Sequence, residues 1–243
     1  MTSVARPSGR AASARCLRAV LMLALLAAPS SAAAAGQPLS LRSADGVALA
    51  ATLYDAGMPA PAVVLVHMYT RAKDDWRPFA ERLQASGITA LAVDLRGHGG
   101  SAGDPTPAVA MALDVRAAVD ALSARSGVRY IGIVGASLGA SAAVLAAVDT
   151  PLVRAVVLVS PAADYRGVRI EPALRKFGGR PMLLVASRED PYALRTVKGM
   201  VTETSTGREQ RVSPVAAHGT HLIDRDPDVA TAVVDWLRRT LLS

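Results

Sequence analysis

Short apolar runs alternate with amphipathic stretches along most of the chain. Residues 62–66 (AVVLV), 88–93 (ITALAV), 130–134 (YIGIV), 153–159 (VRAVVLV) and 181–186 (PMLLVA) are nearly unbroken in apolar character and rich in β-branched side chains. Such runs predict strands buried on both faces. Between them lie helical patterns. Trp76, Phe79, Ala80 and Leu83 fall on one side of a helix over 76–84, and Val109, Leu113, Ala117 and Leu122 repeat at helical spacing over 108–123. Residues 138–147, rich in Ala and Leu, 192–200 and 229–242 predict three more helices. At the start, 39–42 alternates, Asp45-Gly46 supplies a turn and 47–54 returns, which reads as a hairpin. Residues 210–215 read as a short edge strand. A hairpin followed by regular strand–helix alternation predicts an α/β architecture. Its expected form is a mostly parallel eight-stranded sheet with an antiparallel N-terminal hairpin and helices on both faces.

The first 35 residues depart from this pattern. Arg6, Arg10, Arg15 and Arg18 precede an apolar run at 19–28, and Pro29 with small residues follows through Ala35. A basic region, a short apolar core and a small-residue stretch predict a cleavable signal peptide, cut between Ala32 and Gly36. Residues 36–243 then form a single domain, periplasmic or secreted. The run is shorter than the roughly 20 apolar residues that a permanent membrane helix needs. Composition sharpens the picture twice. The one cysteine, Cys16, precedes the apolar run, where a lipid-anchored cysteine would follow it. The mature chain would therefore hold no thiol for a disulfide, a metal or a nucleophile. The formal charge of +7, from 27 basic and 20 acidic residues, falls to +3 without the four leader arginines (23 against 20). No basic run is interleaved with aromatic residues, so nucleic acid is not expected as a partner.

Candidate chemistry centres on Gly135-Ala136-Ser137-Leu138-Gly139, between the strand at 130–134 and the helix at 138–147. A G-x-S-x-G turn from strand to helix lifts the serine hydroxyl above the sheet edge. Its glycines admit close backbone approach, and the first helical amides point at any nearby anion. In parallel sheets functional groups gather at the carboxyl ends of strands, and here polar residues follow the strands: His67, Asp94, Ser137, Asp190 and His218. Serine alone is a poor nucleophile; it needs an imidazole to take its proton and a carboxylate to orient that imidazole. The order Ser137, Asp190, His218 suits three loops above one sheet edge. His221, one helical turn beyond His218, and Asp164, after the preceding strand, are alternatives. His67, His98 and Asp94 fit bracing roles in their loops, and Glu189 a solvated one. There is no G-x-x-x-x-G-K-[ST] loop and no H-E-x-x-H, and His218-x-x-His221 alone is a weak metal pattern. No cofactor and no metal is expected.

Five segments in order carry a resemblance: Val64-Leu65-Val66-His67, Asp94-Leu95-Arg96-Gly97-His98-Gly99, Gly135-Ala136-Ser137-Leu138-Gly139, Asp190-Pro191-Tyr192 and Ala217-His218-Gly219. From about residue 39 to the C-terminus the chain resembles the α/β-hydrolase superfamily, in its dienelactone-hydrolase-like or small lidless carboxylesterase branch. The resemblance implies an α/β-hydrolase fold without a cap domain. It implies Ser137 as nucleophile, His218 as general base and Asp190 as the acid. The oxyanion hole would use the backbone N–H of Leu138 and one from the loop after His67, at Tyr69 or Met68. Met68 stands where the family usually has glycine. The implied activity is an exported serine hydrolase acting on small-molecule carboxylic esters. An acyltransferase or thioesterase with the same triad, or a non-catalytic binding protein of this fold, is the alternative. Residues 161–180 offer room for only a loop and one short helix, so an open site for small or exposed ester groups is expected, rimmed by Asp164, Tyr165, Arg166 and Arg169.

Overall fold

A computed structural model describes residues 1–5, 35–165, 167–203 and 206–242. The chain divides into two units, Met1–Ala32 and Ala33–Ser243. The leader expected over 1–35 falls almost wholly outside the described residues, and the architecture below is that of the second unit.

The strands are β1 (Gln37–Arg42), β2 (Ala48–Tyr54), β3 (Ala62–Val66), β4 (Thr89–Val93), β5 (Ile131–Ala136), β6 (Val153–Val159), β7 (Asp164–Tyr165), β8 (Val168–Arg169), β9 (Met182–Ser187) and β10 (Arg208–Ser213). The helices are α1 (Arg77–Ala85), α2 (Met111–Ser123), α3 (Leu138–Ala147), α4 (Glu171–Phe177), α5 (Pro191–Glu203), α6 (Thr220–Arg225) and α7 (Pro227–Leu242). Among the described residues, eight strands form one sheet in the order β1-β2-β4-β3-β5-β6-β9-β10, and β7 and β8 make a separate small hairpin. β1, β2 and β4 pair antiparallel, and every pairing from β4 to β10 is parallel. The chain therefore has the mostly parallel sheet and antiparallel entry that its hydrophobic pattern predicts.

Helices cover both faces because the central strands have no solvent face to spare. Every residue of β3, β4 and β5 is buried. One face packs on α2, α3, α4 and α5 through Val115, Val144, Leu174 and Val197. The other packs on α1, α6 and α7 through Phe79, Leu222 and Leu237. Trp76 and Trp236 both belong to this second layer. Helix α3 is buried at nine of its ten positions. A helix apolar all round is a core helix, and its run of alanines lets it lie close to β5 and α2.

Register places the chemistry. Val66 is level with Val93 on one side and Gly135 on the other, Ala136 with Val159, Val159 with Val185, and Ser187 with Ser213. The residues that follow these positions emerge along one edge of the sheet. Three details differ from the sequence pattern. β10 ends two residues early, because the Ser213 hydroxyl oxygen accepts the Val215 N–H at 3.0 Å and turns the chain. Residues 161–180 contain the β7–β8 hairpin besides the short helix α4. The six-residue α6 follows Gly219 directly.

Candidate active site

Ser137 sits at the junction of β5 and α3 with φ 51° and ψ −111°. This region of backbone space costs a non-glycine residue about 1–3 kcal/mol and persists only where its surroundings hold it. The hold is visible: the Ser137 N–H donates to the Val159 carbonyl at 2.9 Å. A Cβ on Gly135 would lie 2.2 Å from the Gly139 oxygen, and one on Gly139 would lie 2.4 Å from the Val66 oxygen. Both glycines are thus demanded by contact. Their bareness brings the loop after β3 against the first turn of α3.

That loop is braced from beneath. His67 is fully buried. Its Nδ1 lies 2.8 Å from the Met68 carbonyl, and its Nε2 accepts the Leu95 N–H at 3.0 Å. These partners fix the proton on Nδ1, and burial pulls the ring's pKa down to about 4, so it is neutral. Asp94, also buried, accepts the N–H groups of Lys73 at 2.6 Å and Gly100 at 2.9 Å and pairs with the Lys73 ammonium at 3.2 Å. His98 Nδ1 lies 2.9 Å from the Arg96 carbonyl. All three brace loops.

Asp190 begins α5. One carboxylate oxygen accepts the Ala193 N–H at 3.1 Å, and Pro191 occupies the first helical position, where no amide donor is needed. Its other oxygen lies 2.5 Å from His218 Nδ1. A carboxylate at Nδ1 selects the tautomer that leaves Nε2 as the proton acceptor. The imidazole is half exposed, yet the chain around it is pinned by hydroxyls. Ser187 donates to the Val215 carbonyl at 2.6 Å, and Ser213 donates to Asp226 at 2.5 Å. Ser160 accepts the Gly219 N–H at 3.0 Å, and Thr220 donates to Asp75 at 3.2 Å. Ser160 is buried and, like Ser137, has a positive φ, 50°. Sequence reasoning passed over Ser160 and Ser187, although a polar residue ending a buried apolar strand was the signal that marked Ser137.

The remaining candidates separate cleanly. The Asp164 carboxylate accepts the Gly167 N–H at 2.8 Å and closes its own turn. His221 lies on α6 and Glu189 is exposed. Met68 turns toward the histidine loop: a Cβ on Gly219 would lie 2.4 Å from its sulfur. Tyr69 packs edge-on to His98, with ring centroids 5.7 Å apart, and against Tyr165 at 6.3 Å. Tyr69 and Leu138 line a cavity of about 620 Å³ that also takes in Pro107, Val109, Leu145, Tyr165 and Val168. Among the described residues the Ser137 hydroxyl makes no hydrogen bond, whereas the Asp190 carboxylate and the His218 ring are in contact. Links between a nucleophile and its base are often long without substrate and tighten on binding. Among the described residues no three His, Cys, Asp or Glu side chains group as metal ligands would, and no helix is long and apolar enough to cross a membrane.

An elbow serine above a mostly parallel sheet, with an acid–imidazole pair on neighbouring loops, defines the α/β-hydrolase class. A family profile described as serine aminopeptidase, S33, matches residues 57–198, more than half the chain, and the chain belongs to this α/β-hydrolase family. It is 35% identical over 236 residues to the uncharacterized protein Rv2307c of Mycobacterium tuberculosis, covering 87% of this chain and 81% of that one. It is 31% identical over 159 residues to the acyltransferase drtE of Aspergillus calidoustus, covering 63% of this chain but 50% of drtE, so the chain spans half the length of that relative. Among solved structures it is similar to the Pyrococcus furiosus esterase Pf2001, with a TM-score of 0.72 at 21% identity over 85% of this chain and 91% of that one. It is also similar to a dienelactone hydrolase from Anabaena variabilis, with a TM-score of 0.69 at 22% identity over 86% and 100%. At these identities the structural matches speak for the fold alone.

Proposed function

We propose that the protein is a serine hydrolase that cleaves carboxylic esters through an acyl-enzyme on Ser137. Ser137 Oγ attacks the ester carbonyl while His218 Nε2 takes its proton, and Asp190 holds the resulting imidazolium in place. The tetrahedral oxyanion accepts hydrogen bonds from the amides of Leu138 and of Tyr69 or Met68, an interaction in which each donor is worth on the order of a hundredfold in rate. Collapse expels the alcohol, which leaves with the proton from His218. Water then repeats the sequence, releasing the acid and restoring Ser137. The observation that carries the reading is the 2.5 Å contact between Asp190 and His218, on a sheet edge shared with the strained elbow of Ser137.

A fluorophosphonate probe is expected to label Ser137, and Ser137→Ala to lower hydrolysis of p-nitrophenyl esters at least about a thousandfold. Full activity in that variant refutes the assignment. Acyl transfer is the second reading, favoured by the likeness to the acyltransferase drtE. It differs only in what discharges the acyl-enzyme, so added alcohol competing with water for the acyl group separates the two. The Arg-rich start and apolar run within residues 1–35 support an exported, periplasmic or secreted protein that loses this leader.

A further inference from the structure

The 620 Å³ cavity lies asymmetrically about the site. It begins beside Ser137, at Leu138 and Tyr69, two residues whose amides are assigned to the oxyanion; neither Ser137 itself nor any of residues 217–219 of the histidine loop lines it. In acyl transfer the departing alcohol must meet the imidazole that protonates it. The acyl substituent therefore points away from the histidine, past the oxyanion donors. On the histidine side the Met68 sulfur lies against Gly219 and the half-exposed imidazole faces solvent, where a departing alcohol can leave without a pocket of its own. From this asymmetry we infer that the cavity holds the acyl part of the substrate, and that this part is an apolar chain of several carbons. The inference rests on the serine-hydrolase reading above.

The chemistry of the walls argues the same way. Pro107 and Val109 ahead of α2, Leu145 of α3 and Val168 of the β7–β8 hairpin present hydrocarbon, and Tyr165 adds a ring. Among the described lining residues the cation is Arg169, an exposed side chain 3.4 Å from Glu171 at the edge of an otherwise largely apolar surface. A volume of this size falls in the range of pockets that enclose whole small molecules, far more than an acetyl group fills. The hairpin that supplies Tyr165 and Val168 comes from the 161–180 connection, the segment whose Tyr165 and Arg169 were expected to rim the site. Val109 is half exposed at this cavity although it is a large apolar residue, as suits a position that a bound chain would cover.

Two ester series test this on the full chain: p-nitrophenyl esters with acyl chains from acetyl to decanoyl, and acetate esters of alcohols from methyl to octyl. In the first series kcat/KM is expected to rise about fourfold per methylene until the chain end meets the wall, as burial of each CH2 implies. The second series is expected to stay nearly flat. Val109→Trp, which fills the cavity from an exposed position, is expected to lower the octanoate-to-acetate ratio at least tenfold; Val168→Trp provides the same readout from the opposite element. A rising first series with a collapsed ratio in either variant upholds the inference. A flat first series, or length dependence on the alcohol side only, overturns it while fluorophosphonate labelling of Ser137 leaves the hydrolase reading intact. Absence of both labelling and hydrolysis overturns that reading, and the inference with it.

Discussion

His67 shows how one side chain ties the site to the stability of the fold. In the unfolded chain its ring titrates near 6.5, and in the folded protein, where it is buried against Leu95 and Met68, near 4. Between those values the unfolded state binds a proton that the folded state refuses. Stability is therefore full above about pH 6.5 and falls as the pH drops towards 4, by roughly 3 kcal/mol in all. Urea unfolding of the wild type between pH 7 and 4 is expected to show this slope, and His67→Gln to lack most of it. Equal slopes in the two proteins would rule the explanation out. At this scale the sequence told a good deal. Ser137, Asp190 and His218 stand in motifs whose spacing carries their chemistry, and His67 and Asp94 show as strand-end residues with bracing roles. Ser160 ends a buried apolar run as Ser137 does, but it stands in no motif that says what its hydroxyl meets. Only the fold reveals that its oxygen takes the Gly219 amide beside His218. The turn of Met68 towards Gly219 was equally hidden, since it depends on two loops meeting in space.

The elements were legible in proportion to their length. Each strand of the main sheet and each helix of nine or more residues follows a run long enough for its period to count. The two-residue strands β7 and β8 and the six-residue α6 fall below that length. They are set by tertiary contacts such as the Thr220–Asp75 hydrogen bond. The attachment of α2 to the sheet was also invisible in the pattern. Asp114 of α2, fully buried, receives hydrogen bonds from the Arg96 backbone N–H at 2.9 Å and from its guanidinium at 2.7 and 3.0 Å. This pair holds the loop carrying His98 against the helix that frames the cavity. The guanidinium also pairs with Asp45 at 2.7 and 3.0 Å, so removing Asp114 leaves Arg96 partly satisfied and costs less than the roughly 3–5 kcal/mol of a buried pair broken outright. Asp114→Ala is expected to lower the urea midpoint accordingly, and Arg96→Met in the same chain to recover part of the loss. A midpoint unchanged by Asp114→Ala would show that the pair contributes nothing.

Over the whole molecule, three residues separated by 53 and 28 positions along the chain, Ser137, Asp190 and His218, depend on the common register of β5, β9 and β10. That dependence was readable as topology, because an alternating α/β chain has few ways to wind. The leader proposed over residues 1–35 belongs to this scale too. Intact-mass measurement on the exported protein is expected to give a chain beginning between residues 33 and 36; a retained Met1 would contradict the export reading. The two margins of the sheet have their own consequence. β10 presents Arg208, Glu209, Gln210 and Arg211 in succession, and Pro38 interrupts the donor series of β1. Charge at one border and a missing amide at the other make both poor templates for a foreign strand. Growth of the sheet from copy to copy, the route by which exposed β-edges seed fibrils, is discouraged at either end.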